Sequence, residues 1–167
     1  MARRFLAALF ASVLAVGMTS AAKVHYVAAS DDFGRVVDYA RSLEEHPLAK
    51  DNLQKRMWLT EWIVNSPAVA VAPYKELDSL DEVNNTYSQQ LRMQAMYSQA
   101  AFQLEHPKVK DPAALQAAGL AGTLRAYRAI QRFDPSAKYP VLDDLMSLER
   151  RGKLQKYLEH RSKCFDD

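Results

Sequence analysis

The chain has 167 residues, of which 49% are hydrophobic and 25% are charged, and this balance excludes an intrinsically disordered protein. The net charge of +2 comes from Arg3 and Arg4, because 20 basic residues balance 20 acidic ones in the rest of the chain, which removes the general electrostatic basis for binding nucleic acid or an anionic membrane surface. The single cysteine, Cys164, excludes an intrachain disulfide and any zinc site built from several cysteines.

Residues 1–22 have the three parts of a secretory signal, and we predict that they are removed. Arg3 and Arg4 precede the apolar segment Phe5–Met18, and small residues that suit cleavage before Lys23 follow it. As a helix the apolar segment would span about 21 Å, less than the roughly 30 Å of a hydrocarbon core, so an uncleaved anchor is the weaker alternative. The mature chain, 23–167, is predicted to be periplasmic or secreted and to contain no membrane span.

Composition and proline spacing predict an all-α fold for the mature chain. Alanine and leucine far outnumber valine and isoleucine, and the prolines fall between periodic runs. We therefore predict a single-domain antiparallel bundle of five to six helices joined by short loops that contain proline. In chain order the predicted helices are Asp31–Glu45, Asp51–Asn65, Asp81–Glu105, Pro112–Phe133, a fifth from near Pro140 to Gly152, and Lys153–Arg161.

The second predicted helix is apolar on both sides. Leu53, Met57 and Val64 lie on one face, and Trp58 and Trp62 lie on the other. A helix that is apolar nearly all round is typical of a buried position, so we expect this helix to be central in the bundle.

One seven-residue segment occurs twice, sixty residues apart. Glu45–Asp51 and Glu105–Asp111 are identical at five of seven positions. In each copy a His-Pro pair ends one helix and an aspartate starts the next, so we predict Asp51 and Asp111 as N-caps. A duplicated helical hairpin is the alternative explanation for the similarity.

Glu61 is the most unusual carboxylate of the sequence, because it lies on the apolar second helix. A buried glutamate needs a partner, and Arg125 and Arg128 on the fourth helix are the candidates. Next to these arginines, Gly119 and Gly122 would let a tryptophan of the second helix approach closely. We therefore predict contact between the second and fourth helices, with Glu61, Arg125 and Arg128 as the candidate binding residues.

Asn84 and Cys164 are candidate positions for modification or crosslinking. Asn84 begins an Asn-X-Thr triplet that could accept a glycan in a eukaryotic host, although a turn or helix start is the preferred explanation. Cys164 could form a disulfide between two chains, and a free thiol without a role is the simpler interpretation.

No sequence motif identifies a reaction. The chain has no nucleophile elbow, phosphate loop or glycine fingerprint, and its histidines lack the local spacing of metal ligands, so we expect no metal and no cofactor. The sequence favours a binding or structural module of the cell envelope or extracellular space over an enzyme. Its expected partner is a protein or an envelope component, and separate acidic and basic segments are compatible with homo-oligomers. A small secreted enzyme or an apolar-ligand carrier, each using a cleft between the second and fourth helices, is the alternative.

Overall fold

The computed structural model of the protein describes residues 31–81 and 86–163. The predicted signal, Asn84 and Cys164 lie outside these ranges. All regular structure within them is helical, which confirms the predicted all-α bundle, although the described residues form seven helices rather than five to six. The helices are α1 (Asp31–Glu45), α2 (Asn52–Asn65), a 3-10 helix (Lys75–Asp81), α3 (Ser88–Glu105), α4 (Pro112–Phe133), α5 (Pro140–Arg150) and α6 (Leu154–Lys163).

The main difference from the predicted elements lies before α3. Apolar spacing predicted one helix from Asp81 to Glu105, whereas Asp81 ends the 3-10 helix and α3 begins at Ser88, after a turn that contains Thr86. Threonine and serine favour turns and helix starts over helix interiors, which explains why α3 is shorter than its apolar pattern. No helix among the described residues has both the length and the apolar character that crossing a membrane requires.

The repeated His-Pro segments form the same turn. α1 and α3 end directly before His46 and His106, as predicted. In each turn the third residue after the histidine donates its backbone N–H to the histidine carbonyl oxygen, at 3.2 Å from Ala49 and 2.9 Å from Val109. The common sequence therefore specifies a common turn at the end of α1 and of α3.

The two predicted N-caps differ. The Asp111 carboxylate accepts hydrogen bonds from the backbone N–H groups of Ala113 and Ala114, at 3.3 and 3.1 Å, and this prediction is confirmed. Asp51 is the N-cap residue of α2, as predicted, but its side chain does not make the expected cap bond. Its backbone is helical rather than extended, and its carboxylate pairs with Lys55 at 2.9 Å.

The core consists of two apolar clusters that meet along α3. The larger cluster joins α3 and α4 to α5, α6 and the 3-10 helix, and Leu120, Leu124 and Tyr127 are completely buried in it. The smaller cluster joins α1 and α2 to α3, around Leu43 and Trp62. α2 therefore belongs only to the smaller cluster.

The glycines of α4 contact other residues than those predicted. Gly119 lies against Tyr74, and Gly122 lies against Ser98 of α3 and Glu44 of α1. Among the described helices α2 packs only against α1 and α3, so the predicted contact between the second and fourth helices is wrong, and α2 is not central. The small-residue face of α4 is covered by α3, which leaves α2 at the edge of the bundle.

Candidate functional site

An open groove lies between α2 and α3, with a volume of about 600 Å³. The α2 side chains that line it are Leu53, Arg56, Met57, Thr60 and Glu61. The α3 side chains that line it are Gln89, Gln90, Met93 and Tyr97. The alternative functions predicted from the sequence required a cleft between the second and fourth helices; the groove lies instead between the second and third.

One wall of the groove is an apolar face of α2 that no other described helix covers. In the groove, Leu53 is 67% exposed and Met57 is 64% exposed, and Val64, beyond the groove, is 75% exposed. Together with Thr60 these residues form one row along α2, which we call the exposed row. The opposite face of α2 supplies the buried Leu59 and Trp62. Both faces are apolar in the sequence, so periodicity alone could not tell which one the bundle would bury.

The floor of the groove is a small polar network whose groups are all paired. Thr60 Oγ1 donates to the backbone oxygen of Arg56 at 2.8 Å and accepts a hydrogen bond from the Tyr97 hydroxyl at 2.8 Å, and the Tyr97 oxygen lies 3.3 Å from the same backbone oxygen. Burial raises the pKa of the Tyr97 phenol, so this hydroxyl stays protonated at neutral pH. The network joins α2 to α3 through side-chain hydroxyls and one backbone oxygen.

Opposite charges stand on the two flanks of the exposed row. The Arg56 guanidinium donates to the Pro47 carbonyl oxygen at 2.7 Å and to Gln90 Oε1 at 3.4 Å. Burial lowers the pKa of Arg56, but a guanidinium remains charged at neutral pH. Glu61 is exposed, and its carboxylate makes no hydrogen bond or ion pair with another described residue. The groove therefore offers one held cation and one free anion.

The structure does not bring the three predicted binding residues together. Arg125 donates through Nε to Glu44 at 2.7 Å, and Arg128 pairs with Glu149. Glu61 lies on α2, which does not reach α4. The expected pairing of Glu61 with Arg125 or Arg128 is therefore wrong.

The carboxylate that Arg125 does meet is Glu44, which sequence reasoning missed. Glu44 is 2% exposed and accepts hydrogen bonds of 2.7 Å each from Arg41, Ser98 and Arg125. Its signal in the sequence was its place one turn after Ala40, within the apolar stripe of α1. Because the carboxylate oxygens of Glu44 accept from three side chains, we interpret Glu44 and its partners as a structural cluster that holds α1, α3 and α4 together.

The histidines also lie apart from the groove. His106 is exposed at the end of α3, where its ring centroid lies 4.4 Å from that of Phe102. His46 borders a second, shallower depression beside Leu48 and Phe133. Glu61 and Arg56 line the groove without a histidine, so the described residues do not bring a carboxylate, an arginine and a histidine together there.

Comparisons with protein-family models, with curated proteins and with solved structures found no match to this chain. The function of the protein is therefore inferred from the groove between α2 and α3.

Proposed function

We propose that this protein is an exported helical binding module that takes an amphipathic helix of a protein partner into the groove between α2 and α3. One observation carries the proposal: Leu53 and Met57 are mostly exposed on the wall of a groove of about 600 Å³, whereas the clusters on both sides of α3 are well packed. Exposed apolar side chains concentrated at one concave surface are characteristic of interaction sites.

The form of the groove favours a helix as its occupant. A helix lays apolar anchors spaced three or four residues apart into a channel between two other helices. Met57 of α2 and Met93 of α3 both line such a channel, and methionine adapts to irregular apolar surfaces. The unpaired carboxylate of Glu61 at the rim suits a basic or amide side chain of the partner.

A carrier of small apolar ligands is the second candidate, because the volume falls within the range of small-molecule sites, roughly 300–1,000 Å³. Such a site normally encloses most of its ligand. This groove is open along the row that contains Leu53 and Met57, and that openness favours a macromolecular partner.

Export is part of the proposal and rests on the basic, apolar and small-residue segments of residues 1–22. We expect mass spectrometry of the protein exported by its host to find a chain that begins at Lys23. An exported chain that retains Met1 or Ala2 would contradict this expectation.

The groove can be tested with a fluorescent reporter at nanomolar concentration. Gln89, an exposed residue of the lining, is replaced by cysteine in a Cys164→Ser background and labelled with an environment-sensitive dye. The probe is a synthetic amphipathic peptide with leucines at i, i+3, i+4 and i+7 and with Glu and Lys elsewhere. We expect saturable binding that Leu53→Asp weakens at least tenfold, a loss of about 1.4 kcal/mol.

The matched control is Phe133→Asp, which places the same charge on another exposed apolar side chain, outside the groove. It should leave binding unchanged. Saturable binding of dodecanol together with no binding of the peptide would support the carrier instead, and binding of neither probe would overturn both candidates.

A further inference from the structure

The exposed row of α2 has the spacing of a coiled-coil seam. Leu53, Met57, Thr60 and Val64 follow one another at intervals of four, three and four residues. These are the intervals of successive d, a, d and a positions of a heptad repeat. The three apolar members are all more than 60% exposed. The hydroxyl of Thr60 is already hydrogen-bonded within the chain, to Tyr97 and to the Arg56 backbone, so it needs no polar partner in the seam.

The charged residues on the two sides of this seam, Arg56 and Glu61, restrict which helix can pack against it and in which direction. In the same register Arg56 occupies a g position and Glu61 occupies the e position that follows it. In a parallel pair of helices, a g residue faces the e residue that lies five positions later on the partner helix. Arg56 and Glu61 are five positions apart. Two copies of α2 packed in parallel would therefore form this pair twice, whereas an antiparallel pair would bring like charges together.

The wall contributed by α3 agrees with this arrangement. Gln89 and Gln90 line the groove on the side of Arg56, and amide groups there can donate hydrogen bonds to a carboxylate. Arg56 itself is held in place by the Pro47 carbonyl oxygen, and only its Nη2 group is engaged. A glutamate from a second chain would therefore find donors that are already positioned.

We propose that the partner helix is α2 of a second copy of this chain, in a twofold-symmetric dimer whose two α2 helices run parallel. This inference rests on the proposed function, because it names the occupant of the same groove. In a closed, isologous dimer the exposed row of each chain packs against the exposed row of the other, so both rows are covered.

The first test is sedimentation equilibrium of the full chain over a range of concentrations. We expect a monomer–dimer equilibrium whose dissociation constant Leu53→Asp raises at least tenfold, whereas Phe133→Asp leaves it unchanged. A chain that stays monomeric up to millimolar concentration would overturn the inference. A dimer that withstands Leu53→Asp would overturn it as well, because that dimer would use another surface.

The second test uses the charges. Glu61→Arg places an arginine opposite Arg56 of the other chain and should weaken self-association severalfold. Arg56→Glu should weaken it in the same way, with two glutamates facing each other. An equimolar mixture of the two variants should associate more tightly than either variant alone, because both g–e pairs are then complementary. Thermal melts of each variant confirm that the monomer is folded. A mixture no tighter than its components would contradict the pairing.

The third test fixes the direction of the helices. In a parallel dimer the two Met57 residues face each other, and in an antiparallel dimer each meets a different position. Met57→Cys in a Cys164→Ser background should form a disulfide-linked dimer under mild oxidation, and Phe133→Cys in the same background should not. Failure of Met57→Cys to crosslink under conditions where the chain is dimeric would overturn the parallel arrangement.

The outcomes also separate the two proposals. A monomeric chain that still binds the amphipathic peptide at the groove refutes the dimer and leaves the proposed function standing. A chain that neither binds the peptide nor self-associates refutes both.

Discussion

At the scale of single residues, two glutamates show how burial decides a role. Glu44 lies in the interior and is held by Arg41, Ser98 and Arg125, whereas Glu61 is exposed on α2. The sequence drew attention to Glu61 because its neighbours are apolar. Apolar neighbours along a chain indicate burial only when another element covers them, and none of the described helices covers this face of α2.

Removal of these two carboxylates should therefore have unequal effects. Glu44→Ala leaves Arg41 and Arg125 without their shared buried acceptor and should lower the free energy of unfolding by about 2–3 kcal/mol. Glu61→Ala should change it by less than about 0.5 kcal/mol, as is usual for exposed positions. Urea unfolding of both variants in dilute solution measures the difference. Equal losses in the two variants would contradict the structural role assigned to Glu44.

The capping aspartates give a second matched pair. Asp111→Ala removes two hydrogen bonds to the first turn of α4 and should cost about 1 kcal/mol. Asp51→Ala removes an exposed pair with Lys55 and no bond to the first turn of α2, so its effect should be clearly smaller. Thermal unfolding compares them. A greater loss for Asp51→Ala would show that the repeated segments do not differ in capping as described.

At the scale of helices, the termini were predictable and the packing was not. The bounds of α1 and α4 match the prediction at both ends, because Glu45 stands before His-Pro and Asp111 precedes a proline at the first helical position. These signals act within a few residues of the chain. Which face of α2 is buried depends on its packing against α3, which is distant in sequence. The sequence shows the side chains that line the groove, but it does not show that α2 and α3 bring them together, so the groove could not be predicted.

The contact between α3 and α4 depends on the absence of a side chain at Gly122. A methyl group there would overlap the Ser98 side chain and crowd Glu44. Gly122→Ala should therefore lower the free energy of unfolding by about 1–3 kcal/mol through overpacking, despite the better helix propensity of alanine. Gly34→Ala is the control, since a Cβ at Gly34 of α1 meets nothing within 4 Å, and it should stabilise by about 0.5 kcal/mol. Denaturant midpoints that rise for both variants would refute the close contact.

At the scale of the whole molecule, a layer of buried polar residues lies between the two apolar clusters. Gln94 donates to the Ala40 carbonyl oxygen at 3.2 Å and to Ser98 at 3.0 Å, and Ser98 in turn donates to Glu44. These bonds fix the register of α1 on α3, because buried donors and acceptors must be satisfied together. α2 takes no part in them. It is joined to the bundle by one apolar face, by the network around Thr60, and by hydrogen bonds from Lys55 to Ser42 and from Arg56 to Gln90.

This arrangement predicts that α2 is the least stable helix of the dilute protein. Local stability follows the burial and contact density of an element, and α2 leaves Leu53, Met57 and Val64 in water while α4 is packed against four helices. In hydrogen exchange at low micromolar concentration, amides of α2 should exchange roughly tenfold faster than those of α4, a difference of about 1.4 kcal/mol in opening free energy. If a second chain covers the exposed row, raising the protein concentration should slow exchange selectively in α2, because binding stabilises the state that binds. Leu53→Asp should abolish that dependence on concentration. Amides of α2 that exchange as slowly as those of α4 in dilute solution would contradict the predicted difference in local stability.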